Sequence, residues 1–257
     1  MTASPADQPF IVLASTTSVG DSGLLKHILP LFTAASGIAV RVVALGTGQA
    51  LDWARAGKAD LVLVHDPEAE AAFVAEGHGI DRQEIAWNDF VVVGPKADPA
   101  RIKAERDVIA AFRAIWNAGA AFVSRGDKSG TDALEKRLWK AAALDPTKAG
   151  DWYAEIGGGM NAVLGAAAMR DAYALTDRGT WLSFERRGDL TILLEGDARL
   201  LNRYAVIRLD PERHPRAKHR LAKTFADWLA SPQGQAEIGA YSVAGQKLFH
   251  PAADPKP

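Results

Sequence analysis

Cysteine is absent from the 257 residues, which excludes disulfide frameworks, thiol nucleophiles and thiolate metal sites. No apolar run approaches the roughly 18 residues a membrane span needs. The opening stretch, Met1 to Pro9, is polar and has no apolar signal core. The chain is therefore expected either to be cytosolic or to have lost an export signal. Neither charge is in excess: 30 Lys and Arg against 31 Asp and Glu leave a net charge of -1. A nucleic-acid partner, which requires a basic face, is not expected. The histidines (His27, His65, His78, His214, His219 and His250) are scattered, with no i,i+4 pair and no H-E-x-x-H, so no metal site is expected. Tandem repeats and low-complexity segments are also missing.

What is present is a chain 48% hydrophobic, enough for a sizeable core. Short apolar runs alternate with segments of helical period, the pattern of an α/β protein. Strands are predicted at 10–15, 38–45, 60–64, 89–95, 120–124, 172–176, 190–196 and 202–210. Helices are predicted at 22–35, 48–56, 67–76, 104–117, 130–143, 159–170, 178–187, 216–230 and 232–239. In 130–143 the residues Leu134, Leu138 and Ala141 share a stripe, with Glu135, Lys136 and Lys140 placed off it. The terminal HPAADPKP reads as a frayed tail. The turn PKADPA (95–100) offers a place for the chain to cross into a second lobe, and strand 202–210 a way back. The expected division is 1–95 plus 203–257 for lobe I and 96–202 for lobe II.

Four times a strand or Gly-rich turn ends in small polar residues just before a helix: TTSVGDSG after 10–15, GTGQ after 38–45, RGDKSGT after 120–124, and EIGGG before Met160. The first N–H groups of a helix have no intrahelical acceptor, and the aligned peptide dipoles place about half a positive charge there. Glycine allows close approach and Ser or Thr hydroxyls add donors, so such joins can hold an anion. Any one of them is also an ordinary helix cap. Arg125, directly after strand 120–124, adds a permanently charged planar donor suited to an oxyanion; a surface ion pair with Asp127 or Asp132 is the bland alternative. Charge-assisted hydrogen bonds contribute about 1.5–3 kcal/mol each and nanomolar binding needs about 12 kcal/mol. Once ordering costs are met, roughly seven to nine donors are required, more than one loop supplies.

Other motifs carry less. Gly20-Asp21-Ser22-Gly23 spells a serine-protease fragment but has no spaced His partner, so Ser22 reads as a cap. Gly126–Thr131 lacks the Lys of a phosphate loop. Arg125-Gly126-Asp127 matches an adhesion tripeptide by coincidence, and Gly46 and Gly48 lack the third glycine of a dinucleotide fingerprint. His65, after strand 60–64, is a candidate for the rim of a site. Trp53, Trp116, Trp139 and Trp228 lie in helical segments, where packing is the default.

At the donor turns the chain resembles the tungstate-binding proteins of bacterial ABC importers, the TupA family, with molybdate- and phosphate-binding proteins more distant. The stretches that carry the resemblance include STTSVGDSGLLKHILPLF (15–32), GTGQAL (46–51), SRGDKSGT (124–131) and ALTDRGT (174–180). The resemblance implies an α/β, two-lobed, type II periplasmic-binding-protein fold with two crossover strands and a ligand cleft between the lobes. It implies a non-enzymatic, monomeric, periplasmic or otherwise extracytoplasmic receptor that passes tungstate or molybdate to a membrane permease and its ATPase, without a cofactor. Carried over, the ligand-binding set is Thr16, Thr17, Ser18, Thr47, Gly48, Ser124, Arg125, Ser129, Gly130 and Thr131, with the backbone around Gly159 and Met160 closing the site. The family shows three threonines where this chain has Ser15-Thr16-Thr17, a change that keeps a hydroxyl. Asp177 and Arg178 are expected to order a turn or Arg125. The alternatives are a phosphate or sulfate receptor of the same fold, an enzyme acting on a phosphorylated small molecule, and a ligand-sensing domain. A phosphate site would use a carboxylate to accept the anion's proton, and Asp21, Asp127 and Asp177 all lie near the turns.

Overall fold

A computed structural model describes residues 8–127, 129–243 and 245–256. Met1 to Asp7 lie outside the described residues. The chain divides into two compact units, the first running through Trp87 and resuming at Arg203–Asp254, the second centred on Asn88–Asn202. The division falls inside a long strand, whereas the sequence reading sets it at the turn that ends that strand.

In the first unit, β1 (Phe10–Thr16), β2 (Ala39–Leu45) and β3 (Leu61–Val64) are parallel, with β1 in the middle. Between β1 and β2 run a short helix α1 (Thr17–Asp21) and the longer α2 (Leu24–Ser36), and α3 (Thr47–Arg55) joins β2 to β3. The sequence reading starts a helix at 22 and takes 16–23 as a turn, so it has no counterpart of α1. Gly23 separates α1 from α2 with φ 84°, and a Cβ there would collide with the Tyr241 hydroxyl, so only glycine fits this left-handed break. Helix α4 (Pro67–Ala75) follows β3, capped by Asp66.

The chain then enters β4 (Gly79–Pro95), 17 residues long. Its first half, GIDRQEIAWN, is too polar to announce a strand, yet it lies in the sheet of the first unit. Its second half, Phe90–Val93, is buried on both sides: Phe90 and Val92 pack into one cluster, Val91 and Val93 into another. That double burial is what makes the sequence there a continuous apolar run.

The second unit repeats the winding of the first. Helix α5 (Val108–Ala118) leads to β5 (Phe122–Ser124), then α6 (Gly130–Ala141), β6 (Tyr153–Glu155), α7 (Met160–Arg170), β7 (Ala174–Asp177), α8 (Arg178–Ser183) and β8 (Leu190–Leu194). Strands β5 and β6 are parallel, and β5 meets the start of β7 in parallel through Phe122 and Tyr173. The first strand is again in the middle, with its successors on either side. In each unit the third strand pairs antiparallel with a long strand, β3 with β9 (Leu201–Leu209) and β7 with β4. β6, three residues long, carries too little pattern to be read from the sequence.

Aromatic side chains dominate the second core: Phe112, Phe122, Trp139 and Tyr173 are fully buried, with Phe112 and Trp139 rings 4.4 Å apart. In the first unit α9 (His219–Ala230) and α10 (Pro232–Ala240) return over the sheet, and Phe225 and Trp228 close on Phe32 at 4.7 and 5.5 Å. The chain end departs from expectation. His250–Pro251 pairs with β4 and the His250 ring stacks 4.0 Å from Trp87, so sheet pairing and ring contact hold a segment whose composition reads as frayed.

Candidate functional site

In an open α/β sheet, ligands bind beyond the carboxyl ends of the strands where the winding changes direction. In the first unit that point is β1, which has β2 on one side and β3 on the other. Thr16 ends β1 and is level with Leu45, which ends β2. Thr16 Oγ1 caps α1 by accepting from the Val19 amide at 3.2 Å and lies 3.0 Å from Ser18 Oγ. Ser18 Oγ in turn lies 3.0 Å from Nε2 of His65, the residue after β3. One hydrogen-bonded line therefore spans the ends of β1 and β3. His65 is buried against the Tyr204 ring at 5.0 Å, and the rim expectation for it becomes a structural link between two turns. Thr17 is exposed.

At the end of β2, Gly46 caps α3, and its own amide donates to Gln49 Oε1 at 3.3 Å. Ala50 N–H is the first to reach back, to Gly46 O at 2.8 Å, so the Thr47 and Gly48 amides have no intrahelical acceptor. Thr47 is buried and its Oγ1 has no hydrogen-bond partner. Gly48 is exposed, and no heavy atom would lie within 4 Å of a Cβ there.

The second unit builds a matching edge. The turns after β5 and β6 are tied by Ile156 N–H to Ser124 O at 3.1 Å and Gly157 N–H to Arg125 O at 2.8 Å, so Arg125 and the Gly157–Gly159 turn are neighbours. Ser129 caps α6, its Oγ accepting from the Asp132 amide at 3.3 Å and its carbonyl from Ala133 at 2.9 Å. The Gly130 and Thr131 amides are left without intrahelical acceptors. Gly159 opens α7 in the same way, accepting from Ala162 at 2.9 Å. Met160 offers only its amide, because its side chain lies in the core beside Val123 and Val163.

Arg125 turns both Nε (2.9 Å) and Nη2 (2.5 Å) onto Asp127 Oδ2, and only 11% of its side chain is exposed. The second Asp127 oxygen accepts from the Ser129 amide at 3.1 Å. Burial works to raise the Asp127 pKa, but the bonds from Arg125 and Ser129 outweigh it and hold the carboxylate below its ordinary range. Asp132 is engaged elsewhere, accepting from the Gly126 amide and from Lys136. Gly126 has φ 59°, and a Cβ there would lie 2.7 Å from Glu155, so this turn needs glycine.

Asp177 caps α8, taking the Thr180 amide at 2.8 Å and the Thr180 hydroxyl at 2.6 Å. Arg178 makes two 2.6 Å bonds to Asp89 and one of 2.5 Å to Glu195, and these bonds raise its pKa. Arg178 therefore orders β4 and β8 rather than Arg125. Asp21 is exposed at the end of α1.

The sequence reading places Glu135 off the apolar stripe of its helix; the structure buries it at 1% exposure. Its Oε1 accepts from Trp139 Nε1 at 3.0 Å and from the Tyr153 hydroxyl at 2.8 Å. The i,i+4 spacing to Trp139 is the trace of this that the sequence carries. Ser124 shares its face of β5 with Phe122, since side chains alternate along a strand. Burial raises the pKa of both Glu135 and Tyr153, and the Ser124 hydroxyl beside them offsets this only in part, without normal hydrogen-bond geometry.

Two units, each wound with its first strand central and each ending in open amides at the carboxyl edge, define a solute-binding protein, and a PBP superfamily domain profile matches residues 3–233. The chain belongs to that superfamily. It is 43% identical over 247 residues to the tungstate-binding protein TupA of Peptoclostridium acidaminophilum, covering 95% of this chain and 86% of the relative. The solved structure of the tungstate-binding protein TupA from Desulfovibrio alaskensis G20 superposes with a TM-score of 0.88 at 43% identity, over 96% of this chain and all of that one. The tungstate ABC transporter structure from Geobacter sulfurreducens gives 0.80 at 44% identity, over 90% and 98%. Within the superfamily the chain belongs to the TupA family.

Proposed function

We propose that this chain is a receptor for a tetrahedral oxyanion, tungstate with molybdate as a second ligand, and that it hands the anion to the permease of an ABC importer. The observation that carries the reading is the set of helix starts with open amides at the carboxyl edges of both units, one of them furnished with Arg125. The donors are the amides and hydroxyls of Thr16, Thr17, Ser18, Thr47, Gly48, Ser129, Gly130 and Thr131, the Arg125 guanidinium, and the Gly159 and Met160 amides. Ser124 serves through its place beneath Arg125.

Tungstate and molybdate are proton-free dianions near neutral pH, so their site needs donors alone. The carboxylates nearest the turns in the second unit are already engaged, Asp127 with Arg125 and Ser129 and Asp177 with Thr180. That favours a proton-free anion over monohydrogen phosphate, which gains from a free acceptor. Binding without chemistry is the activity proposed, in an extracytoplasmic space and as a monomer; no helix among the described residues is long and apolar enough to cross a membrane.

Calorimetric titration with tungstate, molybdate, sulfate and phosphate tests the reading. Tight one-to-one binding of tungstate, with sulfate and phosphate weaker by at least about 100-fold, is the expected result. The absence of both heat and thermal shift with tungstate and molybdate would refute it.

A further inference from the structure

Glu135 is a buried carboxyl that no part of the donor set uses. It stands on α6 five residues beyond Gly130, about 7.5 Å along the helix axis from the open amides. Among the described residues the charged groups facing it are Asp132 and Lys136 on α6 and, beyond Tyr153, Glu155 on β6. Lys136 is 2.9 Å from Asp132 and 3.8 Å from Glu155, so this cation is already shared between two carboxylates. Trp139 and Tyr153 donate to Glu135 Oε1, and Ser124, the residue before Arg125, adjoins it without a settled hydrogen bond.

We propose that Glu135 is a proton-carrying positioning residue of the oxyanion site, so that anion binding is coupled to proton uptake at this carboxyl. The inference rests on the receptor reading above. A dianion seated at Arg125 and the start of α6 adds negative charge on the side of Glu135, and like charge disfavours the ionised form. By reciprocity, the protonated carboxyl favours the anion. The proton also orients Ser124. An ionised Glu135 draws the Ser124 hydroxyl inward as a donor, whereas a protonated Glu135 donates and leaves that hydroxyl free to support the Arg125 turn. Desolvation is the chief influence on Glu135 and pushes its pKa up to about 7, so the coupling operates near neutral pH.

The test is titration of the protein with sodium tungstate between pH 6.5 and 8.5, at each pH in buffers of different ionisation enthalpy. If the anion raises the Glu135 pKa by about one unit, about half a proton enters per tungstate bound at pH 7.5. Affinity then falls about sixfold across the range. In Glu135→Gln, which cannot ionise, the uptake and the slope both vanish while tungstate still binds. Tyr153→Phe removes a donor that favours the charged carboxyl, so the break moves to higher pH; this second variant decides the matter should Glu135→Gln fail to fold. Uptake and slope identical in wild type and Glu135→Gln, or an unmoved break in Tyr153→Phe, would overturn the coupling and leave the receptor reading intact. A wild type that binds no tungstate would remove the receptor reading and the coupling with it.

Discussion

The Arg125 guanidinium and the Asp127 carboxylate form a closed pair within one turn, with two nitrogens on a single oxygen and the other oxygen on the amide of the α6 cap. The arginine is thereby fixed beside the helix start that is proposed to share its anion. Arg125→Ala is expected to weaken tungstate binding by at least about 2 kcal/mol, roughly 30-fold, as loss of a largely buried charged donor should. Calorimetry reads the affinity. Arg125→Lys should recover only part of it, because an ammonium cannot present a planar pair of donors.

Thr47 gives a prediction in which stability and binding move apart. Its hydroxyl is buried and unpartnered, and an unsatisfied polar group costs free energy in the unliganded fold. Thr47→Val keeps the shape and removes that cost. The expected result is an unchanged or raised Tm together with tungstate binding weakened by about 0.5–1.5 kcal/mol. A lowered Tm with unaltered affinity would mean that the hydroxyl serves the fold alone.

Glu70 and Arg82 test the frame away from the site. Glu70 is fully buried on α4, and Arg82 on β4 binds its Oε2 at 2.7 Å through two nitrogens, leaving Oε1 unpaired. Desolvation outweighs the arginine and raises the Glu70 pKa to about 7. A carboxyl whose folded pKa lies above its unfolded value contributes most at low pH, and that contribution is lost as pH rises through 7. Arg82→Met removes the compensating charge and should cost about 3 kcal/mol at pH 8 and less at pH 5. Urea unfolding at the two pH values measures the difference.

His78 and His214 have the opposite sign. Their rings meet with Nδ1 and Nε2 3.1 Å apart, a bond that needs one bare nitrogen. Burial is the leading cause that lowers both pKa values, and the nearby Arg213 adds to it. A histidine whose folded pKa is depressed leaves stability intact at high pH and removes it as pH falls below its unfolded value near 6.5. His214→Gln should therefore flatten the fall of Tm between pH 7 and pH 5, as read by scanning calorimetry. The buried carboxyls act in the opposite direction over part of that interval, so the difference between wild type and variant is the informative curve.

Legibility in the sequence followed burial. The strands that end at the donor turns, β1, β2 and β5, are apolar on at least one face and are readable as short apolar runs. The first half of β4 was not, because Asp81, Arg82, Gln83 and Glu84 are exposed or half-buried and offer no apolar alternation. Glu135 misled for a different reason. A carboxylate is seldom enclosed without partners, and its partner Tyr153 comes from a strand too short to announce itself. The donor turns were legible as types, Gly beside Ser or Thr before a helix. The pair of Arg125 with Asp127 is one of the two ion pairs that spacing offers as the bland alternative, and the structure makes it, whereas that Ser124 points inward depends on the face it occupies once β5 is seated.

Asn88 and Asn202, at the two ends of the second unit, share a buried hydrogen bond of 2.8 Å. The second unit is thus inserted in the chain of the first, and its own first and last residues are hydrogen-bonded to each other. A ribosome would release every strand of the inserted unit before Leu209 emerges, and the sheet of the first unit lacks β9 until then. The inserted unit can therefore close first during synthesis, while β3 waits for the neighbour that will cover its open edge.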